Sequence, residues 1–295
     1  MIKLQPIDRI ERIAKKDFIE SYQNPGLPIV IKQLTKAWPA YQKWNLDYLS
    51  EIAGDNIVPL YGGGERAKGR RHQHALIKEM RFSDYIEALK QGENKLRIFF
   101  YNILSEAPKL MEDFSYPEIG LKFFTKLPVL FFGGNGAKVQ MHFDIDLADI
   151  LLCHFGGKKR IYLFAPDQKR YLYHVPFSFS ALFDIDIESP DYKRFPALQY
   201  LEGYSTELSH GDALYIPPGY WHYIVYDEIS FSLSLRAFPR HPKALISMIY
   251  NILVIRTVEG LMRKVVGQSW NDRNESNAIK KTHRNLENEL ARRTR

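Results

Sequence analysis

Three side chains of this 295-residue chain have the types and spacing to hold a metal ion. His142 and Asp144 stand two residues apart in MHFDIDLAD, and His222 follows in GDALYIPPGYWHYIV. On an extended strand, residues i and i+2 point to the same side, so one strand end can aim an imidazole and a carboxylate at one point. A histidine from a distant strand then completes a face of two histidines and one carboxylate. That face leaves about three positions of an octahedral iron(II) open for cosubstrate, oxygen or water. An H-x-D pair alone is common by chance. The Gly-rich turn before it and the histidine on a later strand of the same array give it weight. Asp146, one strand step further, is placed to support Asp144.

Lys159 is the next candidate. It opens the apolar run KRIYLF, where alternation puts Lys159, Ile161 and Leu163 on one face and Arg160 and Tyr162 on the other. One of the two cations must therefore point inward, and an inward cation needs a partner. The far carboxylate of a 2-oxo-dicarboxylic acid chelating the iron would serve as one, through a charge-assisted bond. The plain alternative is a solvated strand edge.

Positioning such groups takes strands, and the chain supplies many short ones. Lys138 to Asp144, Ile150 to Phe155, Lys159 to Phe164, Gly203 to Leu208, Ala213 to Ile216, Trp221 to Val225 and Ile229 to Leu235 are β-prone and separated by turn residues. That density predicts an all-β barrel or sandwich. Residues 165 to 200 read as a long irregular insertion. Helices are expected over Asp8 to Tyr22, Leu46 to Ala53, Phe82 to Lys90, Lys243 to Val266 and Asn274 to Arg293. Gly62 to Gln73 reads as a mobile lid or substrate loop. Three regions result: 1–125, helices and strands flanking the barrel; 126–238, the barrel core; and 239–295, a helical tail.

Hydrophobic residues make up 45% of the chain and charged residues 25%, which suits a soluble globular protein with a large core. The single Cys153 excludes a disulfide framework and a cysteine-based zinc site, so a reducing cytoplasm is expected. MIKLQPIDRIERIAKKDF has no signal-peptide pattern, and no uninterrupted apolar run reaches the roughly 18 residues of a spanning helix. The net charge of +7 lies in the tail: from Pro239 onward there are 12 Lys and Arg against 5 Asp and Glu, leaving 29 of each sign before it. Such a tail is either a solvated helix face or a tether for RNA, an acidic protein or anionic lipid.

MHFDIDLADILLCHFGGKKRIYLFAPDQ, with SPDYKRFPAL and GDALYIPPGYWHYI further on, resembles the JmjC and cupin-like 2-oxoglutarate oxygenases. The likeness extends to the asparaginyl hydroxylase that inhibits hypoxia-inducible factor, and runs from about Phe18 to Phe238. It implies a double-stranded β-helix, a jelly-roll barrel of the cupin kind, carrying an N-terminal α/β extension and C-terminal helices. It also implies iron(II) and 2-oxoglutarate as cofactors, molecular oxygen as co-reactant, and hydroxylation coupled to decarboxylation to succinate. By position, His142, Asp144 and His222 match the family's iron ligands, and Lys159 matches the lysine that pairs with the cosubstrate. Tyr101 and Asn102 in RIFFYNI fall in a segment that contributes polar groups to the pocket, and Ser234 falls near a polar position close to the iron. Two residues depart from the family pattern. Val139 replaces a hydrogen-bonding threonine, and Asp149 would bring an extra anion toward a dianionic cosubstrate.

The expected substrate is a macromolecule, protein or RNA, although a small molecule stays open. The helical tail, with Leu245, Met248, Ile249, Ile252, Leu253 and Ile255 on its apolar face, is expected to make a homodimer, with core packing and a membrane surface as the other readings. A non-catalytic cupin-like module binding through its basic tail is the alternative function. A metal-dependent cupin isomerase would leave Lys159 without a role.

Overall fold

The structure is a computed structural model and describes residues 1–62, 76–92, 95–239 and 242–293. Eight strands form its centre: β1 (Val129–Gly133), β2 (Lys138–His142), β3 (Asp149–Gly156), β4 (Lys159–Phe164), β5 (Glu202–Leu208), β6 (Ala213–Ile216), β7 (Trp221–Tyr226) and β8 (Ser230–Ala237). They fall in two sheets ordered β5–β4–β7–β2 and β6–β3–β8–β1, antiparallel at every step. Each strand but β5 crosses to the other sheet from its predecessor. The chain thus winds as a double-stranded β-helix.

Period-two alternation sorts the side chains into three layers. Val139, Ile150, Leu152, Ile161, Leu163 and Ile224 fill the barrel interior from both sheets. Leu151, Cys153, Phe155, Phe231, Leu233 and Leu235 face out of the larger sheet and pack on Trp44, Leu49, Phe82 and Tyr85 from the N-terminal helices. Tyr162, Phe164, Tyr223 and Val225 face out of the smaller sheet, under Tyr173 and Phe195 of the 165–200 insertion and Ala278 and Leu286 of the last helix.

The flanking region belongs to the same sheets. Ile29–Ile31 pairs with β6, and Arg97–Asn102 pairs with β1, so the larger sheet grows to nine strands. Helices Leu46–Ala53 and Phe82–Lys90 form where the periodicity places them, the first capped by Asn45, whose side chain accepts from Tyr48 N at 2.9 Å. The opening residues depart from expectation. Helix begins only at Lys15, because Lys3–Pro6 pairs in parallel with β5 and Arg9–Ile10 with Ile29–Ile31. Distant strand partners there outcompete a local helical pattern. The expected lid, Gly62 to Gln73, falls almost wholly outside the described residues.

The tail is helical as expected, with its last helix starting earlier, at Gln268. Pro242–Val265 forms one continuous 24-residue helix with an 18-residue window of mean hydropathy 1.5, none of it buried. The expectation that no segment could span a membrane is corrected: by length and composition this helix is long and apolar enough. Isolated polar residues such as Ser247 and Asn251 interrupt the apolar run in the sequence, yet the average over the helix stays high.

Candidate metal centre

Adjacent strands bring the two histidines together. His142 at the end of β2 and His222 near the start of β7 are cross-strand partners, with ring centroids 4.1 Å apart at 60°. Beyond the strand end the chain turns so that Asp144 Oδ1 lies 3.7 Å from His142 Nε2 and 3.9 Å from His222 Nε2. The three ligand atoms sit within 4.8 Å of one another.

Both histidines are oriented by the same device. His142 Nδ1 lies 2.8 Å from the carbonyl of Gln140, and His222 Nδ1 lies 3.2 Å from that of Tyr220, in each case two residues back. A carbonyl only accepts, so Nδ1 carries the hydrogen and each Nε2 lone pair faces the common point. Burial lowers the His222 pKa, outweighing the pull of Asp144, so the imidazole is held in its ligating form. Burial would raise the Asp144 pKa, but Arg236 and the two histidines hold it below the ordinary carboxylate range. Two neutral imidazoles and one carboxylate suit a divalent first-row metal such as iron(II).

Arg236 was not foreseen. Its Nη2 lies 2.9 Å from Asp144 Oδ2 and its Nη1 2.6 Å from Asp146 Oδ2. Asp146 thus supports Asp144 through a shared guanidinium. The signal was present in β8, SFSLSLRA: its apolar residues face the outer core, which puts Ser230, Ser232, Ser234 and Arg236 on the barrel face. An arginine at the end of such an inward polar stripe is a candidate by that alternation alone.

Lys159 is 1% exposed and faces the interior, while Arg160 turns out to Asp227 at 2.6 Å. The Lys159 Nζ donates to Ser232 Oγ at 2.6 Å and lies 5.4 Å from the centre of the Tyr226 ring. That ring fits because position 133 is glycine; a Cβ there would stand 2.7 Å from it. Ser232 Oγ lies 3.0 Å from Nδ1 of buried His154, whose Nε2 is bonded to the Gly157 carbonyl at 2.6 Å. Among the described residues no carboxylate pairs with Lys159, and burial lowers its pKa to about 7. A buried cation supplied only with neutral partners is built for an anion from outside.

The remaining expected site residues lie elsewhere or play other parts. Tyr101 belongs to the outer core, where its hydroxyl accepts from Asn56 Nδ2 at 2.7 Å. Asn102 caps the following helical turn, accepting from Leu104 N at 3.1 Å. The pairing with β1 slips between Ile98 and Tyr101, and Phe100 adopts a left-handed φ of 67°. That slip turns Phe99 and Phe100 to a neighbouring cavity instead. Ser234 is buried on β8 between Ser232 and Arg236. Asp149 points to the outer layer, accepting from the Tyr215 hydroxyl at 2.5 Å, so its charge stays out of the barrel. Val139 is in the barrel interior.

A cavity of ≈ 940 Å³ opens next to the metal segment, without His142, Asp144 or His222 in its lining. Gln140 and Ile145 line it from the metal segment, Tyr61, Phe99 and Phe100 from the N-terminal region, and Arg256, Arg263 and Trp270 from the tail helices.

Known proteins place this architecture. The chain is 30% identical over 241 residues to Jumonji C domain-containing protein 5 of Drosophila melanogaster, covering 77% of this chain and 59% of that protein. It is 28% identical over 237 residues to lysine-specific demethylase 8 of Xenopus tropicalis, covering 77% and 52%. It is 24% identical over 258 residues to human tRNA wybutosine-synthesizing protein 5, covering 80% and 78%. The chain spans between half and three-fifths of the length of the fly and frog proteins. The sequence pattern of the cupin-like domain matches residues 15–244, which takes in the whole barrel and all three triad residues. The chain belongs to the cupin-like domain family.

Proposed function

We propose that this protein is an iron(II)- and 2-oxoglutarate-dependent hydroxylase acting on a side group of a protein or RNA. The observation that carries the reading is one barrel holding both a His142–Asp144–His222 face and, on the same inward side, a buried Lys159 with no acid partner among the described residues. Iron(II) with 2-oxoglutarate would supply oxygen activation coupled to decarboxylation to succinate. The chain's own groups do the rest. His142, Asp144 and His222 hold the metal, and Lys159 with Ser232 anchors the far carboxylate. Tyr61, Phe99 and Phe100 would offer an incoming substrate an aromatic wall in the neighbouring cavity.

Relatives named for a demethylase and a tRNA-modifying protein, with a cavity of ≈ 940 Å³, favour a macromolecular substrate. The resemblance to the asparaginyl hydroxylase that inhibits hypoxia-inducible factor, strongest in the metal segments and in Gly157 to Gln168, names no substrate beyond that class. The bare apolar face of Pro242–Val265 supports pairing with a second copy, and one buried cysteine suits a reducing cytoplasm.

The test is an anaerobic titration of the iron(II)-loaded protein with 2-oxoglutarate, followed by the visible charge-transfer band. Wild type should develop the band, and Asp144→Ala, still folded, should not. Bound iron without any band in the wild type would sink the oxygenase reading and favour a non-catalytic module that binds through its basic tail.

A further inference from the structure

Asp144 and Asp146 are both anions beside a point where a divalent cation would sit, yet only one oxygen faces it. Asp144 Oδ1 lies toward the two Nε2 atoms, while Oδ2 is taken by Arg236 at 2.9 Å and Asp146 Oδ2 by the same guanidinium at 2.6 Å. The three side chains are between 9% and 20% exposed, so screening is weak and carboxylate–metal attraction is strong. Guanidinium carries donors only and stays charged, so it satisfies two carboxylates without becoming a ligand.

We infer that Arg236 is a positioning residue that keeps Asp144 a one-oxygen ligand and Asp146 off the metal, preserving the open coordination positions. Without it, the second oxygen of Asp144, or a carboxylate oxygen of Asp146, is drawn to the cation and fills a position that cosubstrate or oxygen requires. The inference rests on the metal reading above. It differs from a purely structural role because the loop backbone is held by other means. Leu147 N donates to the Asp144 carbonyl at 3.2 Å, Phe143 N to that of Phe179 at 3.0 Å, and Asn251 Nδ2 to that of Ile145 at 3.2 Å.

Manganese(II) is the probe, with affinity read by calorimetry and its exchangeable waters by water-proton relaxation. His142→Ala serves as the control for the site itself and should lose manganese binding; full retention would overturn the metal reading, whatever Arg236 does. Arg236→Met should keep manganese affinity within about tenfold of wild type, or tighten it, while losing at least one metal-bound water and weakening 2-oxoglutarate binding by about tenfold or more. Arg236→Met/Asp146→Asn should recover water and cosubstrate binding in part, because the competing carboxylate is gone. Should Arg236→Met fail to fold, Arg236→Lys gives the same signature at smaller amplitude, since one ammonium cannot hold both carboxylates in a fork. A folded variant with the wild-type water count and cosubstrate affinity would overturn the inference. So would a variant that simply loses manganese binding, which would make Arg236 a shaper of the ligand rather than a guard of the open positions.

Discussion

Lys159 decides how the proposed cosubstrate site responds to pH. Burial lowers its pKa to about 7, so below that pH it carries its charge before any ligand arrives. Above it, the neutral amine must take up a proton when a dianion binds. Affinity for 2-oxoglutarate should therefore fall by about tenfold per pH unit between roughly 7 and the pKa the lysine reaches in the complex. Calorimetry at pH 8 in buffers of different ionisation enthalpy should show uptake close to one proton. Lys159→Met should bind far more weakly and take up none. Absence of proton uptake in the wild type would mean that Lys159 is already charged at pH 8, and wild-type affinity in Lys159→Met would mean that it is not the anion partner.

Strand β8 does two jobs on opposite faces. Phe231 stacks on Phe132 and Phe155, with centroids 5.2 and 5.8 Å away, and is fully buried. Phe231→Ala leaves a cavity among rigid aromatic rings and should cost about 3–5 kcal/mol in a urea unfolding curve. Its neighbour Ser230 faces the barrel with a hydroxyl that has no partner among the described residues. Ser230→Ala removes a buried polar atom that makes no bond, so its midpoint should stay level or rise. A large loss from Ser230→Ala would show that the hydroxyl is satisfied in solution. The contrast separates the face that holds the fold from the face that holds the site.

At the scale of the whole molecule, the helix Pro242–Val265 links the site to its surroundings. Arg256, Arg263 and Lys264 line the cavity, and Asn251 grips the loop carrying Asp144 and Asp146. Its other side leaves Ile246, Ile249, Leu253 and Leu261 exposed. The stretch from Ala244 to Ile255 has no charge and covers about 18 Å as a helix, while the whole of Pro242–Val265 is long and apolar enough to cross a bilayer core of about 30 Å. In the proposed pairing a second copy would cover this face. Ile249→Asp/Leu253→Asp should convert a dimer to a monomer in size-exclusion chromatography with light scattering. A wild-type protein that runs as a monomer and floats with anionic vesicles would favour the membrane surface instead.

The triad is legible in the residue types and their spacing, but strand alternation does not place all of it: β2 ends at His142, and the turn after it brings Asp144 to the two histidines. The same period-two rule narrowed the inward cation to Lys159 or Arg160 and could have found Arg236 in SFSLSLRA. The resemblance, not the alternation, put Tyr101 and Asn102 near the pocket, and there a slipped pairing and one left-handed residue turn Phe99 and Phe100 to the cavity instead. Alternation left Asp149 ambiguous, since only the pairing of β3 with β8 and the Tyr215 hydroxyl show that its carboxylate leaves the barrel. Arg9–Ile10, inside the stretch with helical spacing, became a strand because Ile29–Ile31 offered a parallel partner. Local period and residue chemistry act over a few ångströms of chain. The guanidinium between two aspartates and the lack, among the described residues, of an acid paired with Lys159 depend on contacts between distant strands, which only the closed barrel creates.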